Sequence, residues 1–156
     1  MGLHDRFKND EDLDTKGVTL QLDDNDKPLC RIRLARAGGL NKKFTAAVEK
    51  VRRKFAKLFE HNMISDERNR EIMIEVHADT TVLSWETWKP APTDEDPQAG
   101  EWVSGIESAD GEILPFTRQN VIDTFKALPT IYEAAVAHCS DSQMYNRAYI
   151  EAATKN

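Results

Sequence analysis
The residues able to do chemistry in this chain are few and scattered. Four histidines (His4, His61, His77 and His138) and two cysteines (Cys30 and Cys139) are spread over its 156 positions. None of them forms a C-x-x-C, an H-x-x-x-H or an H-E-x-x-H, so the spacing signals no zinc site. The isolated cysteines read as small semi-buried side chains of a reducing compartment. Asp23-Asp24-Asn25-Asp26 has the acidity of a calcium loop but lacks its central Gly and terminal Glu, which leaves a polar turn. Gly38-Gly39 is followed by no G-K-[ST] and belongs to no G-x-G-x-x-G, so it reads as a turn rather than a phosphate cradle. No G-x-S-x-G marks a nucleophile. Glu75 and Asp79 lie one helical turn apart, where a metal pair is conceivable and a solvated helix face is the commoner outcome. The expectation is therefore a chain with no catalytic residue, no cofactor and no metal, and not an enzyme.

What the side chains do offer is charge, unevenly placed. Residues 1–30 carry 4 basic and 8 acidic side chains, residues 31–57 carry 10 and 1, and residues 58–156 carry 7 and 18. The formal charge of −6 thus averages a basic block of +9 with flanks of −4 and −11. Such a block suits a nucleic-acid surface, an acidic protein partner or a second copy of this acidic chain. Nucleic acid is the disfavoured partner, because the phenylalanines of the block fall on the opposite side of its helix from the lysines and offer no stacking platform. The interaction candidates are Arg31, Arg33, Arg36, Lys42, Lys43, Lys50, Arg52, Arg53 and Lys57. Trp88 and Trp102 join them as aromatic anchors, whereas Trp85 is expected in the core.

The elements that must position these residues follow from periodicity. Residues 1–16, polar and rich in Asp, predict a flexible arm. Val18, Leu20 and Leu22 alternate with polar residues, and so do Cys30, Ile32 and Leu34 after the Asp/Asn turn, which predicts a β-hairpin. From an Asn41 N-cap, Phe44, Val48, Val51, Phe55, Leu58 and Phe59 form the stripe of a long amphipathic helix over 41–61. Ser65 caps a second helix with Ile72, Val76, Thr80 and Leu83 as its stripe, ending near Ser84-Trp85, and the two make an αα-hairpin. Residues 88–100 read as a Pro-rich acidic loop, and 101–114 as a small hairpin about Asp110-Gly111. Thr117 caps a third helix, Pro129 starts a fourth, and Ser140 or Asp141 caps a last one. The fold class is α+β, mainly α, in a single domain over 1–156. No run approaches the ~18 apolar residues of a membrane span, and MGLHDRFKNDEDLD is too acidic for a signal peptide.

Three segments, in this order, resemble the tail assembly chaperones of long-tailed bacteriophages. They are RIRLARAGGLNKKF from Arg31 to Phe44, ADTTVLSWE from Ala78 to Glu86, and DGEILPFTRQN from Asp110 to Asn120 followed by helix, Pro and helix. The resemblance spans roughly residues 7–150. It implies a non-catalytic factor acting in the host cytoplasm, which coats the tape measure protein and helps recruit tail tube subunits; the opposed charge of block and flanks adds the expectation of a homo-oligomer. Some members are made in two lengths by frameshifting. The stretch between Trp85 and Asp110 is longer than the compact connection expected of the family. Alternatives are a structural tail or head–tail connector subunit kept in the virion, and a small nucleic-acid-binding protein.

Overall fold
Alternation and a two-residue turn build the centre of the molecule. In the computed structural model, which describes residues 2–92, 96 and 99–155, β1 (Val18–Asp24) pairs antiparallel with β2 (Lys27–Leu34). The loop residues Asn25 and Asp26 take φ of 48° and 67°, the left-handed pair that a tight hairpin turn requires and that Asn and Asp tolerate. β3 (Val82–Pro90) pairs with β2, and β4 (Gly100–Ser104) pairs with β3, so the described residues form an antiparallel sheet in the order β1-β2-β3-β4.

Helices cover one face of this sheet. α6 (Arg118–Ala127) opens with the Thr117 hydroxyl accepting the Asn120 amide at 3.1 Å, and α7 (Pro129–Ser140) opens on its proline. Ile32, Leu34 and Trp85 of the sheet meet Val121, Ile122, Phe125, Ala135 and Cys139 in one buried cluster. Tyr145, on a short 3-10 turn over Ser142–Tyr145, is 1 % exposed and donates its hydroxyl to the Leu34 carbonyl at 2.7 Å. Tyr145→Phe is expected to lower stability by about 1–2 kcal/mol in a urea titration, because it strips a buried acceptor of its partner. The chain then ends its described part in α8 (Arg147–Lys155).

The mixed α and β class stands, but several boundaries differ from the sequence reading, among them the last helix, which begins at Arg147 after a 3-10 turn over Ser142–Tyr145 rather than at Ser140 or Asp141. In the segment expected as a flexible arm, residues 2–16 instead hold two helices, α1 (Leu3–Phe7) and α2 (Glu11–Lys16), that are tied to the body. The Asn146 amide donates to the carbonyls of Asp5 and Arg6 at 2.9 and 3.1 Å, and Asp14 is fully buried. The helix expected over 41–61 breaks at Phe55 into α3 (Lys42–Lys54) and α4 (Ala56–Glu60). The second helix, α5 (Asp66–Thr80), stops before Trp85. There the β-branched run Thr80-Thr81-Val82 favours extended backbone, and the hydroxyls of Thr80 and Thr81 turn back onto the Val76 and His77 carbonyls. Residues expected in the acidic loop instead extend β3 to Pro90 and start β4 at Gly100; of that loop, residues 93–95, 97 and 98 lie outside the described residues.

The hairpin expected over 101–114 is divided as well. Trp102 and Val103 belong to β4 in the main sheet, while β5 (Ile106–Glu107) pairs with β6 (Ile113–Leu114). Gly105 makes the division: its φ is 131°, and a Cβ there would meet Ile113 Cγ2 and the Leu114 oxygen at 2.5 Å.

Candidate interaction surface
α3 is amphipathic with one covered side. Phe44, Val48, Val51 and Phe55 are half-buried, and α3 packs along α5, with the Phe44 ring 5.6 Å from the imidazole of His77. No residue of α3 or α4 is fully buried. Past Phe55 the stripe loses its cover. Leu58 and Phe59 of α4 are 39 % and 41 % exposed, and Met63, just after the left-handed Asn62 that ends α4, is 68 % exposed. α3, α4 and the first turns of α5 thus form an arm with an apolar tip.

The basic residues of this arm are solvent-facing. Lys42, Lys43, Lys50, Arg52, Arg53 and Lys57 are all exposed. Within α3, helical periodicity puts Lys42, Lys43, Lys50 and Arg53 on the side away from the apolar stripe, whereas Lys57 belongs to α4 beside Leu58. Arg53 meets Glu49 at 3.3 Å, an exposed i, i+4 pair.

The other three arginines of the basic block are elsewhere and already engaged. Arg31 forks onto Glu86 across β2 and β3 at 2.8 and 3.0 Å, and its guanidinium lies 4.4 Å from the centre of the Trp102 ring. This hydrogen bond holds the Glu86 carboxyl below its ordinary range. Arg33 donates to the Lys16 carbonyl, and Arg36 to Asn9 Oδ1 at 3.0 Å and Asp14 Oδ2 at 3.5 Å. The basic block is therefore one helical face plus three arginines that tie the sheet and α2 together.

Trp88 and Trp102 are cross-strand neighbours on the sheet face opposite Trp85. Both are half-buried, their ring centres 5.1 Å apart edge to face, whereas Trp85 is 3 % exposed in the core. The indole nitrogen of Trp88 is buried with no hydrogen-bond partner among the described residues. With Arg31 and Glu86 they make an aromatic and charged cluster on the open side of the sheet.

Four of the residues first considered for chemistry, Glu75, Asp79, His77 and Cys139, make contacts that join elements of the fold. Asp79 accepts from Arg118 Nε at 2.6 Å and Glu75 lies 3.7 Å from the same guanidinium, so the pair clamps α5 to α6. His77 Nδ1 is 2.8 Å from the Thr81 hydroxyl and 3.9 Å from Cys139 Sγ. Burial lowers His77 to about 4 and pushes the Cys139 thiol up to about 11, so both are neutral at pH 7. Among the described residues no three His, Cys, Asp or Glu side chains are grouped as a metal ion would need, and no helix is long and apolar enough to cross a membrane.

One surface was not legible in the residues alone. Leu128, the C-cap of α6, is 45 % exposed, and Leu29 near the start of β2 is 49 % exposed. They line adjoining grooves of about 370 and 150 Å³ between α6, β5 and β2, which share Glu107, Thr124 and Leu128. Comparison with protein-family models, with curated proteins and with solved structures returns no match to this chain.

Proposed function
We propose that this chain is a non-catalytic assembly chaperone that holds a long helical client through its α3–α5 arm. The reading that the sequence resemblance favours is tail assembly in a long-tailed bacteriophage. The client is then the tape measure protein, the recruited subunits are tail tube protein, and the place of action is the host cytoplasm. The supporting observation is the arm itself: Leu58, Phe59 and Met63 are uncovered at its tip, and exposed lysines and arginines run along it. An amphipathic helix is captured by an apolar stripe with charged margins, and a client rich in such helices needs that cover before it assembles.

Co-expression with the tape measure protein tests this. The expected result is a soluble complex whose yield falls at least about tenfold in the Leu58→Asp, Phe59→Asp double variant, because tip residues of this kind act as hot spots. An insoluble client with no recovered complex overturns the proposal. Recovery of the chain in purified particles would instead favour the structural tail or connector subunit.

A further inference from the structure
The arm tip and the groove beside α6 have opposite charge and the same apolar character. Residues 52–63 carry Arg52, Arg53, Lys54 and Lys57 against Glu60 alone, around the exposed Leu58, Phe59 and Met63. The groove is floored by Leu114, Leu128, Leu29 and Ile131, and its only charged lining residues are Glu107 and Asp123. Asp23 and Glu107 together add to the burial that pushes the neighbouring Cys30 thiol up, so the field over this floor is negative. Neither surface is covered by another described part of the chain: Leu58, Phe59, Met63, Leu29 and Leu128 all remain more than a third exposed.

We infer that the groove formed by Leu29, Leu114, Leu128 and Ile131 with Glu107 and Asp123 receives the Leu58–Phe59–Met63 arm tip of a second copy of this chain. The apolar side chains supply the burial, and Lys54 and Lys57 meet the carboxylates at the rim and fix the register. Two different patches of one chain are joined, so the contact is heterologous. It closes as a ring or a reciprocally exchanged pair, or it propagates. This inference needs only the two surfaces; a second copy seated on the tip competes with the client for Leu58, Phe59 and Met63.

Charge exchange between variants tests it, with mass measured by light scattering after size exclusion. The wild type is expected to grow in mass with concentration and to dissociate as salt rises. Lys54→Glu with Lys57→Glu on the arm, or Glu107→Lys with Asp123→Lys in the groove, is expected to weaken self-association at least about tenfold in either variant alone. Mixing the two variants restores a complementary contact and is expected to recover assembly. Met63→Asp, at a side chain 68 % exposed, provides an arm variant that removes no buried side chain and is expected to be monomeric. A wild type that stays monomeric at every concentration overturns the inference. So does a groove variant that still self-associates alone, or a mixture that does not assemble. The client test stays separate, because the groove variant keeps its arm intact: a monomeric groove variant that still binds client leaves both readings standing, and one that does not bind counts against the client reading alone.

Discussion
Asp14→Ala is expected to cost about 3–5 kcal/mol of stability at neutral pH, read from urea titration, the usual cost of removing one partner of a buried charge pair. Asp14 has no exposed surface, and the guanidinium that faces it, Arg36, has a side chain only 18 % exposed. Its Oδ2 accepts the Leu40 amide at 2.8 Å and lies 3.5 Å from Arg36 Nη1, while its own carbonyl accepts the Arg36 amide at 2.9 Å. Deleting the carboxylate leaves the part-buried Leu40 amide without this acceptor and a half-sequestered cation whose remaining side-chain partner among the described residues is Asn9. Gly39 belongs to the same knot. Its φ is 53°, and a Cβ on it would lie 2.5 Å from both Asp14 Oδ2 and Arg36 Nη1, so Gly39→Ala is expected to destabilise as well. The double variant Asp14→Ala, Arg36→Ala is expected to cost less than the sum of the two single changes, because neither charge is then left alone. A loss below about 1 kcal/mol for Asp14→Ala would show that α2 is not part of the cooperative fold.

That knot also marks where sequence reading stops. Strand periodicity in Val18–Leu22 and Cys30–Leu34 is local and was legible, because one face of this sheet meets water and the alternation is clean. The Thr117 cap and Pro129 were legible for the same reason: a cap and a proline act within one turn. The Asp-rich start was read as solvated, since nothing nearby in sequence shows that Asp10 accepts the Leu13 amide as an N-cap or that Asp14 has its cation 22 residues on. The stripe Ile72, Val76, Thr80, Leu83 fits a helix through its last member, yet Leu83 is 38 % exposed on β3. Helical spacing and a helix-to-strand junction coincide there, and only the pairing of Ile32 with Trp85 separates them. Charge sums behaved in the same way. They located the basic block, but the Arg31–Glu86 pair spans 55 residues and removes one arginine from the free surface. The apolar stripe of the arm was visible; that α5 covers it only as far as Phe55 is a property of packing.

Lowering the pH from about 6.5 to about 4 is expected to remove about 3 kcal/mol of stability through His77 alone. Its folded value is about 4 because burial disfavours the imidazolium, against about 6.5 when exposed. Above pH 6.5 neither the folded nor the unfolded chain protonates this ring, so it contributes no pH dependence. Between the two values the unfolded chain takes up a proton that the folded chain refuses, and stability falls by about 1.4 kcal/mol per pH unit. Below about 4 both states are protonated and the loss levels off. The ring has no carboxylate to rescue the charge among its described contacts: it lies beside Thr81, Cys139, and the aromatic faces of Phe44 and Tyr132. His138, also lowered by burial, adds to the trend in the same direction. The ion-paired Asp10 and Glu86, whose folded values lie below the ordinary carboxylate range, begin to lose their contribution as pH falls toward the unfolded carboxylate values of 3.8 and 4.5, so the slope between about 6.5 and about 5 is the part that reports the imidazoles. Urea titrations at closely spaced pH values from 7.5 to 4 measure the slope, and His77→Gln is expected to flatten it while costing some stability at every pH through the altered packing. Because Phe44 rests on this ring, loss of the α3 arm is expected to accompany the acid transition. A wild-type stability unchanged across that pH window, or a His77→Gln profile as steep as the wild type, would contradict the assignment of the acid transition to this buried imidazole.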